Sequence, residues 1–233
     1  MNKKYEFVPT DTIKYNGRTL TRIKALRSFG KVKEGDLGGY IENEDNLSPN
    51  WNCWVSGKAK ISGNAEVSGN AQVYGNAKIS GNAKVYGECW VYGNAKVYEK
   101  AKVYGDVRVS GEAWVFGNAE VFGNASVFEE AWIDGHAKVY EKAKVYGDVR
   151  VYGEAWVYGN AKVYGNASVF EEAWVYGNAK VYGDASVFGN AKVYGEAEVN
   201  KGIVGRDTKL DGKSERREVA PLSDLKARVK DLL

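Results

Sequence analysis

From Val55 a valine or isoleucine falls on every sixth residue, without a gap, as far as Val199. Twenty-four complete hexads fill residues 55–198, with the consensus Val-Tyr-Gly-Asn-Ala-Lys. The fifth position is Ala except at Cys89, Val107 and Val149, and the third is Gly except at Glu99, Glu129, Glu141 and Glu171. A period of six suits neither a helix of 3.6 residues per turn nor an unbroken strand. Inside each unit, however, Ala-Lys-Val-Tyr alternates small apolar, polar, branched and aromatic, which is the strand period of two. Gly-Asn then interrupts it with the residues a tight corner requires. A short strand and a corner repeated without pause predict a parallel β-solenoid whose units stack on their neighbours. Three hexads close one triangular coil of eighteen residues. The Val and Ala positions face inward, and the second and sixth positions face outward.

The pattern resembles the hexapeptide motif [LIV]-x-x-x-[STAV]-x of left-handed β-helix proteins, over the whole of 55–199. The left-handed sense is what the resemblance implies. At about 4.8 Å per coil, eight coils make a rod of roughly 38 Å. Each buried Val contributes about 1.5 kcal/mol or more. Cys53 and Cys89 fall in the inward small-residue column two coils apart, a separation of roughly 9.6 Å that no disulfide spans. They read as buried substitutes for Ala.

A longer repeat lies over the short one. Residues 97–138 and 139–180 are nearly identical, a duplication of forty-two residues, or seven hexads. Since forty-two is not a multiple of eighteen, the second copy is rotated by one face. On the outside, the second-position column of one face reads Ser68, Tyr86, Tyr104, Phe122, Tyr140, Tyr158, Tyr176, Tyr194. The sixth position is mostly Lys, with Trp at 54, 90, 114, 132, 156 and 174. Folded into coils, Trp114 and Trp132 become neighbours on one face. Trp156 and Trp174 become neighbours on the next, flanked by Tyr158 and Tyr176. These six residues are the candidate binding patch, because contiguous exposed aromatic surface marks interfaces; stacking for stability alone is the competing explanation.

The formal charge of +3 divides as +2 over residues 1–54, −2 over 55–200 and +3 over 201–233. No segment is basic enough to track phosphates, which argues against nucleic acid as a partner. The start, MNKKYEFVPTDTIKYNG, lacks the apolar run of a signal peptide and no segment reaches transmembrane length, so the expected location is the cytoplasm, with no membrane contact. Many proteins of the resembling class are acyltransferases with a catalytic histidine, and others are zinc carbonic anhydrases. Here the single histidine, His136, takes the place of a corner Asn, two residues after Asp134. One histidine cannot build a multi-histidine zinc site, and no inserted loop exists within 55–199 to wall a pocket. No catalytic residue, metal or cofactor is expected.

Residues 1–40 predict an N-terminal β-hairpin cap, turning at Asn16-Gly17 in TIKYNGRTLTRI. Ile41 and Leu47 keep the six-residue step, so the solenoid is expected over 41–203, with a two-residue insertion in SPNWN. The stretch LTRIKALRSFGKVKEGDLGGYIENEDNLS, leading into NCWVSG, resembles a group of hexapeptide-repeat proteins of bacteria, prophages and phages, often labelled polymer-forming or cytoskeletal-like and without established function. It covers roughly residues 4–199 and implies a phage or mobile-element setting. Residues 204–219 read as a polar linker. Residues 220–233 place Leu222, Leu225, Val229 and Leu232 at helical spacing after Pro221, an amphipathic helix too short to stand alone. It is expected to cap the solenoid, to pack in a homo-oligomer (a dimer or the trimer common to the resembling class), or to dock on a partner.

These features together predict a non-enzymatic interaction or scaffold protein that binds itself or a host protein, possible targets including a host defence component. The alternatives are an acyltransferase using His136 and a nucleotide-holding sponge at subunit boundaries.

Overall fold

In the computed structural model, residues 3–212 are described. The chain forms a parallel β-solenoid of three sheets, one of twelve strands and two of nine. Most strands are two residues long, the step from the sixth position of one hexad to the Val or Ile of the next, as in Lys96–Val97 or Trp114–Val115. Register confirms a coil of eighteen: Trp90 pairs with Gln72 before it and Arg108 after it, and Val91 with Val73 and Val109. The first face carries Ile61, Ile79 and Val97, the second Val67, Val85 and Val103, and the third Val55, Val73 and Val91.

The inward columns make one continuous core. Every repeat Val, Ile, Ala and Cys from Cys53 to Val193 is buried, nearly all to zero exposure. Backbone hydrogen bonds run from coil to coil through strands and corners alike, as from Lys78 N to Ala95 O at 2.9 Å and Asn76 N to Gly93 O at 2.8 Å. Most peptide groups are thereby satisfied along the rod, and a turn within the unit adds bonds such as Ala119 N to Phe116 O at 3.2 Å.

The corners show why Gly recurs. Gly147 has φ of 89°, and a Cβ placed on it would lie 2.6 Å from the carbonyl oxygen of Gly165 in the next coil. The four glutamates at this position keep the same left-handed backbone: φ is 60° at Glu99, 61° at Glu129, 57° at Glu141 and 59° at Glu171. A side chain there costs about 1–2 kcal/mol.

Both ends depart from the regular step. Strands β1 (Tyr5–Tyr15) and β2 (Arg18–Ala25) form the expected hairpin, with φ of 48° at Asn16 and 74° at Gly17. Strand β3 (Leu37–Ile41) pairs antiparallel with β2 and parallel with Lys60–Ile61. The hairpin therefore extends the first sheet rather than forming a separate body. The first coil holds twenty residues, since Ile41 faces Ile61 and Leu47 faces Val67. The normal spacing returns at Trp54, which pairs with Gln72. The two extra residues lie in the expected segment, where Trp51 takes φ of 59° and stands 71% exposed.

At the other end the solenoid runs past the boundary expected at residue 203. Ile203–Val204 pairs with Ser186–Val187, and Lys209–Leu210 pairs with Lys192–Val193, at a spacing of seventeen. One residue has been lost between Val199 and Val204, so the hexad register vanishes from the sequence while the coil continues. Residues 204–210 thus belong to the rod and not to a linker. Residues 213–219 of the expected linker and the helix of Leu222, Leu225, Val229 and Leu232 lie outside the described residues.

The corner geometry predicts opposite outcomes for two substitutions. Glu99→Gly relieves the left-handed penalty but adds about 0.4–1 kcal/mol of unfolded-chain entropy, for a net gain of about 0.5–1 kcal/mol. Gly147→Ala brings both the penalty and the collision, and is expected to cost more than about 2 kcal/mol. Chemical denaturation of the two variants against the parent checks both signs.

Candidate functional site

The outward columns stack. On the second face, seven rings from Tyr86 through Tyr104, Phe122, Tyr140, Tyr158 and Tyr176 to Tyr194 form an unbroken pile, with centroids 4.7–5.1 Å apart and planes within 6°. The parallel register places like residues one strand spacing apart, which is the contact distance of two aromatic faces. On the third face Tyr74 stacks on Tyr92, Ser110 breaks the column, and Phe128, Tyr146, Tyr164 and Tyr182 resume it. Asp134 makes the corresponding break on the first face, between the Tyr98–Phe116 pair and the Tyr152–Phe170–Phe188 run.

Four of the six repeat tryptophans fall into two matched pairs. Trp114 and Trp132 stack at 4.8 Å on the first face, and Trp156 and Trp174 at 5.1 Å on the second. A cation covers the outer side of each pair. Lys96 Nζ lies 3.7 Å from the Trp114 centroid and the Arg150 guanidinium 5.4 Å from that of Trp132. On the second face Lys138 lies 5.1 Å from Trp156, and Lys192 4.2 Å from Trp174. The two cation–indole–indole–cation runs are related by forty-two residues at each of their four positions; the duplication of 97–138 carried the tryptophan pair onto the neighbouring face, while Lys96 and Lys192 lie outside both copies. Tyr158 stacks on Tyr176 and meets Trp174 edge-on, as Tyr98 meets Trp114. The six sequence candidates lie on two adjacent faces. Trp114 and Trp132 belong to one face, and Trp156, Trp174, Tyr158 and Tyr176 to the next. All are half-buried, with their ring faces already in contact.

The most exposed large apolar side chains lie elsewhere. Leu26, Leu37, Trp51 and Trp90 belong to, or adjoin, the N-terminal block, and Tyr152 stands alone on the first face. The repeat phase places Trp90 and Tyr152 at outward positions but could not reveal the other three: Leu26 and Leu37 precede the hexads, and Trp51 sits in the insertion. Trp54, by contrast, is buried edge-on beneath Phe29 at 5.4 Å. The hairpin also occupies part of the first face, since Lys60 and Lys78 both lie over the Tyr15 ring, at 5.7 and 5.5 Å.

His136 occupies a corner column of hydrogen-bonded amides. Its Nε2 lies 3.3 Å from Asn118 Nδ2, the place that Asn178 takes beside Asn160 in the second copy. Among the described residues no hydrogen bond joins it to Asp134, whose carboxyl is pushed up by burial and by Glu99. No three His, Cys, Asp or Glu side chains among the described residues are grouped to hold a metal ion. Cys53 and Cys89 are free and buried. An open depression near the C-terminal end of the second face is lined by Glu172, Trp174, Asn190, Lys192, Asp207 and Lys209.

Similarity to known proteins follows the same architecture. Three stretches match a family model described as the YdcK beta solenoid repeat: residues 59–75, 71–87 and 143–159. All three lie in regular hexads of the rod. No curated protein matches the chain. With the paired strands above, the matches make this a repeat β-solenoid protein. No helix among the described residues is long and apolar enough to cross a membrane.

The stacked phenols carry a pH signature. Burial pushes Tyr98, Tyr104 and Tyr140 up to about 12, with nearby carboxylates helping at Tyr98 and Tyr104. Tyr104 also donates its hydroxyl to Glu120 at 3.2 Å. A raised phenol stabilises the fold fully below the unfolded-state value of 10.0 and loses that contribution as pH climbs toward the folded value. The denaturant midpoint is therefore expected to fall between pH 10 and about 12, and tyrosinate absorbance of the folded chain should rise at higher pH than that of the denatured chain. Coincident titrations would show the rings to be solvated.

Proposed function

We propose that the chain is a non-catalytic interaction protein, a stiff rod that engages a partner through matched cationic–aromatic strips on two adjacent faces. The observation that carries this reading is the recurrence of Lys96–Trp114–Trp132–Arg150 as Lys138–Trp156–Trp174–Lys192 on the next face. Trp, Tyr and Arg side chains dominate binding energy in protein interfaces, and the strips present indoles with Arg150 and with lysines that add charge complementarity. Held on a β-scaffold, they lose little side-chain entropy on association. The chemistry favours a partner surface that offers carboxylates and apolar side chains, either a second copy of this chain or another protein. In its finer form the reading makes the chain phage- or prophage-encoded, acting in the host cytoplasm on a host protein such as a defence component; support for that comes from the sequence resemblance of the N-terminal block.

The geometry favours neither alternative. A nucleotide base stacking on these indoles would have to displace a cation or a second indole already in face contact. Acyl transfer by His136 would need an oriented base, and its nearest ring partner is a corner amide.

Charge reversal tests the proposal. Lys96→Glu with Arg150→Glu alters the first strip, and Lys138→Glu with Lys192→Glu the second. Binding of a partner identified with the parent chain, or self-association measured by solution mass, should weaken at least tenfold in either double variant and weaken with added salt. Unchanged binding in both would overturn the strips as the interface. His136→Asn is expected to leave that binding intact.

A further inference from the structure

The N-terminal end of the rod buries a lysine without a carboxylate. Lys4 is only 1% exposed. Its Nζ donates to the carbonyl oxygen of Cys53 at 2.9 Å and of Asn50 at 3.4 Å, and lies 3.3 Å from Cys53 Sγ. The Phe29 ring closes another side at 5.0 Å. Cys53 is fully buried, and its thiol points at the carbonyl oxygens of Ser48 and Asn50 at 3.5 and 3.6 Å. Lysine is almost never buried in full unless paired. Yet the inward column asks only for a small residue here, and Ala71 fills the same place one coil on. Burial holds the Lys4 amine below its ordinary range and, against the opposing pull of Lys4, raises the Cys53 thiol. Both shifts favour the uncharged forms, and a neutral amine is the form that can attack an oxidised sulfur.

We propose that Lys4 and Cys53 form an oxidative cross-linking site, at which hydrogen peroxide joins Nζ to Sγ as a sulfenamide. Peroxide takes two electrons from the Cys53 sulfur, giving a sulfenic acid and one water. The Lys4 nitrogen then attacks that sulfur. The S–O bond breaks, the hydroxide leaves with an amine proton as a second water, and an S–N bond remains. Lys4 sits one residue before β1, the edge strand of its sheet, and fraying there admits a small oxidant. The bond ties the start of the cap to the first coil, across forty-nine residues of sequence. Cys89 provides an internal comparison. It lies in the same column, but its thiol, pushed up to about 12 by burial, donates to the Val103 carbonyl oxygen at 3.8 Å.

Peroxide treatment of the folded full-length chain, followed by digestion and mass spectrometry, tests the site. The expected product is lighter by two hydrogens. It links the peptide carrying Lys4 to that carrying Cys53, disappears with dithiothreitol, persists in Cys89→Ala, and is lost in both Lys4→Met and Cys53→Ala. Should Lys4→Met fail to fold, Cys53→Ala decides, since Ala is the usual residue of that column. Absence of the linked product, attachment at Lys3, equal oxidation of Cys53 and Cys89, or Cys53 sulfinic acid beside an unmodified Lys4 would each overturn the proposal.

Discussion

One branched and one small side chain enter the interior from every hexad, and this pair sets the cross-section of the rod. Three such pairs fill a triangular prism whose lining is buried along its whole length. Because each coil must place its valines over those of the previous coil, the register is fixed to the residue. A shift of one would turn the core columns outward. The corner glycines, the continuous backbone hydrogen bonds and the outward ladders all inherit that register.

The ladders on the outside follow from the same constraint. Identical side chains one strand spacing apart have no choice but to stack, so seven aromatic rings align on the second face without any requirement from a ligand. Stacks of this kind contribute about 0.2–1 kcal/mol per pair. What stacking alone does not ask for is a cation at both ends of each tryptophan pair, repeated on a second face. That feature is the one on which the proposed contact surface rests.

The two ends show how an open-ended rod manages its unpaired strands. At the start, a two-residue turn reverses the chain, and β1 and β2 continue the first sheet antiparallel, ending it on a strand with a register shift between Val8 and Thr12. An interrupted edge of this kind resists the pairing that a flat, regular strand would invite. The twenty-residue first coil makes room beneath the cap for Phe29, Trp54 and the buried Lys4. Local irregularity in length is thus where the regular core gives way to specific chemistry.

The six-residue period by itself determined the parallel solenoid, its eighteen-residue coil, the inward columns that hold Cys53 and Cys89, and the stacking of Trp114 on Trp132 and Trp156 on Trp174. Each of these is a consequence of translation along one axis, and a linear sequence displays translation directly. The turn at Asn16-Gly17 was equally plain, since only a few residue types accept two successive left-handed conformations. Tertiary structure alone decided the rest. It ran the coil on through Lys209–Leu210 after a one-residue loss had erased the period, because backbone pairing tolerates a shortened corner that pattern matching does not. It seated Lys96, Arg150, Lys138 and Lys192 over indoles eighteen residues away, and it left Trp51 exposed. It also brought Lys4 against Cys53, because a non-repeating segment packs wherever shape and hydrogen bonds allow, and no spacing in the sequence records that choice.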